Sequence, residues 1–391
     1  MLVLTPRFPY PVIGGDRLRI HALCRALSER FELTLLSLCE SELELNVEPT
    51  DQIFSSIERV LLPKWRSWLN CLAALPTRTP LQVAYYNSPL FRQKYEALVE
   101  KHDIVLCHLV RTAEYARHAP VPRVLEMTDA ISLNYTRVRE TASRANLRTW
   151  IYNIEQKRLL DYERAVSESF NLNVLVSDVD SRYLIDNGVK KERLLVCGNG
   201  VDTVALPYQF SHGSKRIVFI GNMTTLQNLD AAYWFGSQVM PLLLAKLPEA
   251  RFEVVGRIGA EETRRLAKLP GVHVTGAVKS VPEAVKGAAI GVCPMRLGAG
   301  IQNKVLEYMA LGLPTVSSQV GLEGIEAQVG RDLVLAATAQ EYADSIAELF
   351  NNQELSETLS RNGRNLVEAH YSWNSQLRTA MNKITQLSNI D

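Results

Sequence analysis

Along most of this chain short apolar runs of strand length alternate with amphipathic stretches of helical period. That alternation narrows the fold to parallel sheets covered by helices on both faces. Leu2–Thr5, Leu33–Leu38, Ile104–Cys107, Val124–Glu126 and Leu172–Val176 read as strands of one such unit. A second series begins afresh at Arg216–Gly221 and continues through Phe252–Val255, Val272–Thr275, Gly291–Pro294 and Pro314–Ser317, with helices such as Asp230–Leu247 and Ala260–Lys268 between them. At 391 residues the chain is long enough to bury two cores of ordinary size. Pro207–Ser214 is polar, broken by Pro and Gly, and lacks periodicity. The domains are therefore expected at residues 1–206 and 207–370, with a C-terminal helix, 371–391, packing back toward the first. The fold class is α/β, with two doubly wound Rossmann-like domains expected to face each other across a cleft. Ligands of such sheets collect at the carboxyl ends of the strands, which directs attention to the residues just after each run.

The charge balance excludes one class of partner. Lys and Arg number 43 against 42 Asp and Glu, a formal charge of +1, so there is no broad basic field for a nucleic acid to follow. Cys24, Cys39, Cys71, Cys107, Cys197 and Cys293 are scattered, with no CxxC spacing, and read as buried reduced thiols rather than a zinc site. No apolar run approaches a membrane span, and Met1–Thr5 enters a strand without a basic segment before it. A cytoplasmic protein is expected.

The densest chemistry lies between Gly298 and Val316, which reads as a glycine loop, a short helix and a buried strand. Gly298, Ala299 and Gly300 let a ligand approach the backbone, the following helix N-terminus points amide donors at it, and Lys304 adds a full charge. A diphosphate fits there. Glu307, one turn beyond Lys304 on the same face, can accept hydrogen bonds from vicinal hydroxyls such as those of a ribose. A solvated Lys-Glu pair at an ordinary loop-helix junction remains open as the alternative.

Several ordered motifs resemble the GT-B retaining glycosyltransferases of family four, the large group-one family that builds bacterial polysaccharides. They are Pro9-Tyr10-Pro11 with Gly14-Gly15-Asp16-Arg17-Leu18-Arg19, Asp129–Tyr135, Asn199-Gly200-Val201-Asp202, Phe219–Met223 with Asn228–Ala231 and Trp234-Phe235, and Pro294–Gly300 through Glu307 and Gly312-Leu313-Pro314. Asp129–Tyr135 looks like a segment of members associated with exopolysaccharide clusters. The resemblance implies transfer of a sugar from a nucleotide diphosphate sugar to a glycan or lipid-linked acceptor, without a cofactor, obligatory metal or protein nucleophile. It implies donor contacts from Gly221, Asn222, Arg257, Gly298, Ala299, Gly300, Ile301 and Glu307. Two departures stand out. Ala299 replaces the first of two acidic residues that many members carry in the donor loop, and Asn222 and Gln227 occupy the stretch where many place an Arg and a Lys. Arg296 and Lys304 are expected to carry more of the diphosphate's charge, as the catalytic cations.

His108 follows the strand Ile104–Cys107, and the resemblance places a functional histidine in this segment; a loop histidine capping the next helix is the alternative. On the acceptor side stand Gly14 and Gly15, which admit a substrate or make a turn at positive φ, and Asp129, which positions an acceptor hydroxyl or caps a helix. Asp178-Val179-Asp180 suggests a metal pair, but its position after Ser177 reads better as a capped helix start. From Arg59 to Lys94 the basic residues Arg59, Lys64, Arg66, Arg78, Arg92 and Lys94, with no acidic ones, are interleaved with Trp65, Trp68, Tyr85, Tyr86 and Phe91. Such a stretch suits an anionic membrane surface and peripheral attachment to the inner face of the cytoplasmic membrane; an exposed helix-loop region with buried tryptophans is the alternative. Competing functions are epimerisation of a nucleotide sugar and non-catalytic nucleotide-sugar binding.

Overall fold

The apolar runs become strands because the interior of each sheet is shielded on both faces. Leu2, Val3 and Leu4, for example, are wholly buried. The computed structural model of the chain describes residues 1–12, 15–141, 147–297 and 301–388. The chain divides into two compact units, Met1–Gly198 with Gln376–Asp391, and Asn199–Ser375.

In the first unit the strands are β1 (Leu2–Thr5), β2 (Thr34–Cys39), β3 (Ser56–Leu61), β4 (Val105–His108), β5 (Arg123–Thr128), β6 (Leu172–Leu175) and β7 (Leu194–Val196). They form one parallel sheet in the order β3-β2-β1-β4-β5-β6-β7. In the second unit β8 (Arg216–Ile220), β9 (Arg251–Val255), β10 (Val272–Gly276), β11 (Ile290–Cys293), β12 (Thr315–Ser317) and β13 (Val334–Leu335) make a parallel sheet ordered β10-β9-β8-β11-β12-β13. Strand order reverses between β1 and β4 in one unit and between β8 and β11 in the other. At such a reversal neighbouring crossovers leave to opposite faces, and a crevice opens beyond the strand ends.

The segment expected as a linker belongs to the second unit. Gln209 N–H donates to Leu311 O at 2.9 Å, and Ser360 Oγ donates to Tyr208 OH at 2.9 Å. The division falls instead at Gly198/Asn199. The helix Trp373–Ser388 crosses the second division, and its residues from Gln376 onward group with the first unit, where Arg30 bonds Asn382 and Thr385. The expected helix Asp230–Leu247 starts earlier, at Leu226, and runs to Lys246 through a π turn at Phe235–Val239. Pro241 lies just beyond that turn, and its missing N–H cannot complete a regular ladder. No described helix is long and apolar enough to cross a membrane.

Candidate active site

In the second unit the strand ends at the reversal are tied together by backbone. Gly221 N–H donates to Val255 O at 3.0 Å and Met223 N–H to Arg257 O at 2.7 Å, joining the turns after β8 and β9. Gly256 makes this possible: its φ is +136°, and a Cβ there would lie 1.9 Å from Gly221 O. Asn222 closes the turn, its Oδ1 accepting from Thr224 N at 3.2 Å and Thr224 Oγ1 at 2.8 Å. Arg257 contributes its carbonyl to this joint and leaves its side chain exposed.

Lys304 reaches this crevice from the helix Asn303–Leu311. It is buried, at 9% exposure, and its Nζ donates to Asn228 Oδ1 at 3.0 Å and Gln302 Oε1 at 3.2 Å, 5.3 Å from the centre of the Phe219 ring. Asn228 in turn donates from Nδ2 to Asn222 O at 3.0 Å, so one carboxamide links the cation to the turn after β8. Glu307 is half-buried on the same helix face and makes no ion pair with Lys304. Burial pushes the Lys304 ammonium down from its ordinary range, opposed by Cys293 and Glu307, and pushes the Glu307 carboxyl up, opposed by Lys304. The solvated Lys-Glu pair left open by the sequence is therefore not what forms. The helix's cap residue, Gln302, gives no side-chain cap to its first amides, so they remain donors at the positive end of the helix dipole. Tyr308 holds the helix in place: its hydroxyl accepts from Ile220 N at 2.7 Å, and its ring packs where a Cβ on Gly291 would lie 2.4 Å away. Ile301 packs against Gly324. Gly298, Ala299 and Gly300 lie outside the described residues.

Arg296 departs from expectation. Its guanidinium donates to both oxygens of Asp230, Nη2 to Oδ1 at 2.6 Å and Nε to Oδ2 at 3.1 Å, and its side chain is 50% exposed beside the Trp234 ring. Asn228 and Asp230 are two residues apart on the helix Leu226–Trp234, roughly 200° around its axis. Lys304 on Asn228 and Arg296 on Asp230 thus sit against different faces of that helix. The two cations expected to bracket one anion do not converge.

In the first unit His108 ends β4 at the reversal point and is buried. Its Nδ1 lies 2.6 Å from Glu126 Oε2 on β5, while Arg19 Nε donates to Glu126 Oε1 at 2.6 Å. Arg19 also donates to Cys197 O at 2.9 Å and Gly198 O at 3.2 Å. Burial alone would raise the Glu126 carboxyl, but Arg19 and His108 overcome it and hold it down at about 2. A carboxylate so held carries no proton, so Nδ1 is the donor, and in the neutral ring Nε2 keeps its lone pair. Leu109, just beyond β4, and Thr128, the last residue of β5, have φ of 62° and 65°. That is strained backbone, most of all for β-branched Thr128, and Glu126 helps hold it by accepting from Thr128 N and Oγ1 at 3.1 Å. His108 is therefore a fixed member of a buried cluster rather than a loop histidine.

Gly15 opens the helix Gly15–Ser28 without positive φ and with open space where a side chain would stand. No turn at positive φ forms at Gly15. Gly14 lies outside the described residues. Asp129 sits half-buried in the turn after β5, its N–H donating to Met127 O at 2.9 Å. The amides that follow it go to Asp180, from Ala130 N at 3.0 Å, and to Glu163, from Ile131 N at 2.7 Å. Asp180 is also held by Ser177, which caps the helix Asp178–Asp186. Arg19, Glu126, Thr128, Asn228 and Asp230 were not singled out as site residues from sequence. Glu126 carried a usable signal, since a carboxylate inside the apolar run Val124–Met127 demands a buried cation.

Residues 214–352 match the family model of glycosyl transferases group 1. An uncharacterized 44.6 kDa protein in the cps region of Klebsiella pneumoniae is 23% identical over 171 residues, 42% of this chain and 44% of that one. The chain thus matches less than half the length of that relative. Anabaena HepE, solved with UDP, superposes with a TM-score of 0.67 at 15% identity over 98% of this chain and 99% of its own. Sucrose-phosphate synthase of Thermosynechococcus elongatus superposes at 0.68 and 16% identity over 99% of this chain and 98% of its own. The fold is GT-B, and together with the family match it supports a glycosyltransferase.

Proposed function

We propose that this protein is a retaining glycosyltransferase moving a sugar from a nucleotide diphosphate sugar to a glycan or lipid-linked acceptor in cell-surface polysaccharide assembly. The observation that carries this reading is the unfinished site on the helix Asn303–Leu311: among the described residues, a buried ammonium answered only by neutral groups, and a carboxylate one turn on with no ion partner. Lys304 and the first helix amides bind the diphosphate, and Glu307 accepts from the two ribose hydroxyls. Ile301, Gly221 and Asn222 border the donor, and Arg257 lies exposed beside them.

As the bond from the anomeric carbon to the diphosphate breaks, negative charge grows on the leaving group, where Lys304 is worth most. The acceptor oxygen bonds to the same face of that carbon, and its proton passes to the leaving diphosphate. His108, fixed by Glu126, hydrogen-bonds a substrate hydroxyl through Nε2, and catalysis is largely positioning and charge stabilisation. Gly15 leaves room on the acceptor side, to which Gly14 and Asp129 are also assigned. Because Lys304 and helix amides meet the diphosphate, no obligatory metal is proposed. The polysaccharide role is supported by the cps-region relative, and a uridine donor by HepE, solved with UDP-glucose.

The test is incubation with a panel of nucleotide sugars, UDP-sugars first. Acceptor-dependent release of nucleoside diphosphate supports transfer. A sugar epimer, or binding without turnover, would overturn it.

A further inference from the structure

The first unit holds a cavity of about 1040 Å³, between the helices Lys64–Ala74, Leu81–Tyr85, Val110–Ala116 and Leu147–Ser169. Six cations line it, Arg78, Arg92, Arg111, Arg117, Lys157 and Arg158, against the carboxylates of Glu114 and Asp161. Arg117 pairs with Glu114 at 3.7 Å and Arg158 with Glu155 at 3.0 Å. Arg78, Arg92, Arg111 and Lys157 have no carboxylate within ion-pair distance among the described residues. Two of these are nonetheless held in place: Arg92 over the Tyr115 ring at 5.1 Å, and Arg111 by Gln82 Oε1 at 3.1 Å and the Tyr86 ring at 5.4 Å. Positioned cations without counter-charges suit an anion of more than one charge.

The helix Lys64–Ala74 turns Asn70, Ala73 and Ala74 to this cavity and a different stripe to solvent. Trp68 is 64% exposed and Leu72 61%, with Trp65, Leu69 and Leu75 also exposed. The tryptophans are not buried, as the alternative reading of this stretch required. We propose that the cavity binds the phosphate or diphosphate of a lipid whose alkyl chain lies along this stripe. A neutral glycan would need neither the cations nor the apolar face. A recessed cavity favours a compact terminal diphosphate over the phosphodiesters of ordinary bilayer lipids, which are confined to the headgroup plane. That this lipid is the sugar acceptor rests on the transferase reading above; its binding does not.

The test is co-sedimentation with phosphatidylcholine vesicles, plain or doped with a polyprenyl diphosphate, and with phosphatidylglycerol vesicles. The doped vesicles should bind the wild type about tenfold or more tighter than the plain ones, and Arg92→Gln with Lys157→Gln should abolish that preference. Trp68→Ser with Leu72→Ser should weaken binding to doped vesicles, while inorganic pyrophosphate should compete. Equal binding to plain and doped vesicles, equal binding to phosphatidylglycerol, or a preference surviving in the cavity variant would each overturn the inference. Unfolding temperature and its shift with UDP are read on every variant. A wild type with no lipid preference but an intact UDP shift sinks this inference alone, whereas a wild type with no shift for any nucleoside diphosphate but an intact preference sinks the transferase reading alone.

Discussion

The two strand-order reversals hold opposite kinds of chemistry. At the end of β4 and β5, Arg19, Glu126 and His108 form a buried set in which each charge is answered, with Glu126 held at about 2. At the end of β8 and β11, Lys304 and Glu307 are desolvated but meet no opposite charge within ion-pair distance among the described residues, and burial pushes each toward its neutral form. A completed set fixes one imidazole in one orientation. An incomplete one is stable only as far as desolvation allows, and it gains most from a ligand that supplies the missing charges. The first arrangement suits a group that must act from a fixed position, the second a group that must bind and release.

The comparison breaks first at Glu126. Glu126→Ala leaves the Arg19 guanidinium buried without its counter-charge, so unfolding in denaturant should show a loss of about 3–5 kcal/mol. Its pH dependence follows from the depressed carboxyl. The stabilisation is present above the unfolded value of about 4.3 and is lost as pH falls toward the folded value of about 2. Glu126→Gln should flatten that acid-side slope; a slope unchanged in the variant would deny the cluster its charge. His108→Ala removes the group the cluster holds, and it should lower transfer by about 10²–10⁴ while leaving nucleoside diphosphate affinity close to intact. Parallel loss of stability, affinity and activity would make His108 a packing residue instead.

The second region should fail in the other sense, by losing binding or rate without losing the fold. Lys304→Ala should reduce turnover by roughly 10²–10³. A thermal unfolding curve near the wild type's would separate this from misfolding. Glu307→Ala should weaken donor binding by about 1.5–3 kcal/mol and erase most of the preference for a ribonucleotide donor over its 2′-deoxy analogue. A variant that folds and still discriminates the two donors as the wild type does removes Glu307 from the ribose.

What could be read from sequence divides along the same lines. Central strands such as β1, β8 and β11 were legible because both faces are buried and nearly every residue is apolar. Of the four edge strands, β10 was legible but β3, β7 and β13 were not; β3 carries Glu58 and Arg59 in its run, because an edge meets water on one side. Lys304 and Glu307 were legible together because helical spacing alone puts them on one face. The Arg19–Glu126 pair joins residues 107 apart in the chain, and no local pattern records such a meeting. The pairing of Arg296 with Asp230 was hidden for a related reason: proximity to a loop in sequence says nothing of where a long side chain points. Only the fold puts Asp230 within its reach.

Arg296 therefore gives the smallest expected effect and the sharpest use of the comparison. It sits at the same strand end as Lys304, yet it is half exposed and engaged by Asp230. An exposed pair of this kind contributes about 0–1 kcal/mol, so Arg296→Ala should change stability little and lower donor affinity and turnover by less than about fivefold. Asp230→Ala separates the two remaining possibilities. If Arg296 stays against its helix face during turnover, the Asp230 variant should behave like the Arg296 variant. If the donor's diphosphate draws Arg296 away from Asp230, removing that competitor should tighten donor binding, and Arg296→Ala should then cost as much turnover as Lys304→Ala. That pattern would make both regions charge-complete during catalysis and remove the distinction between them.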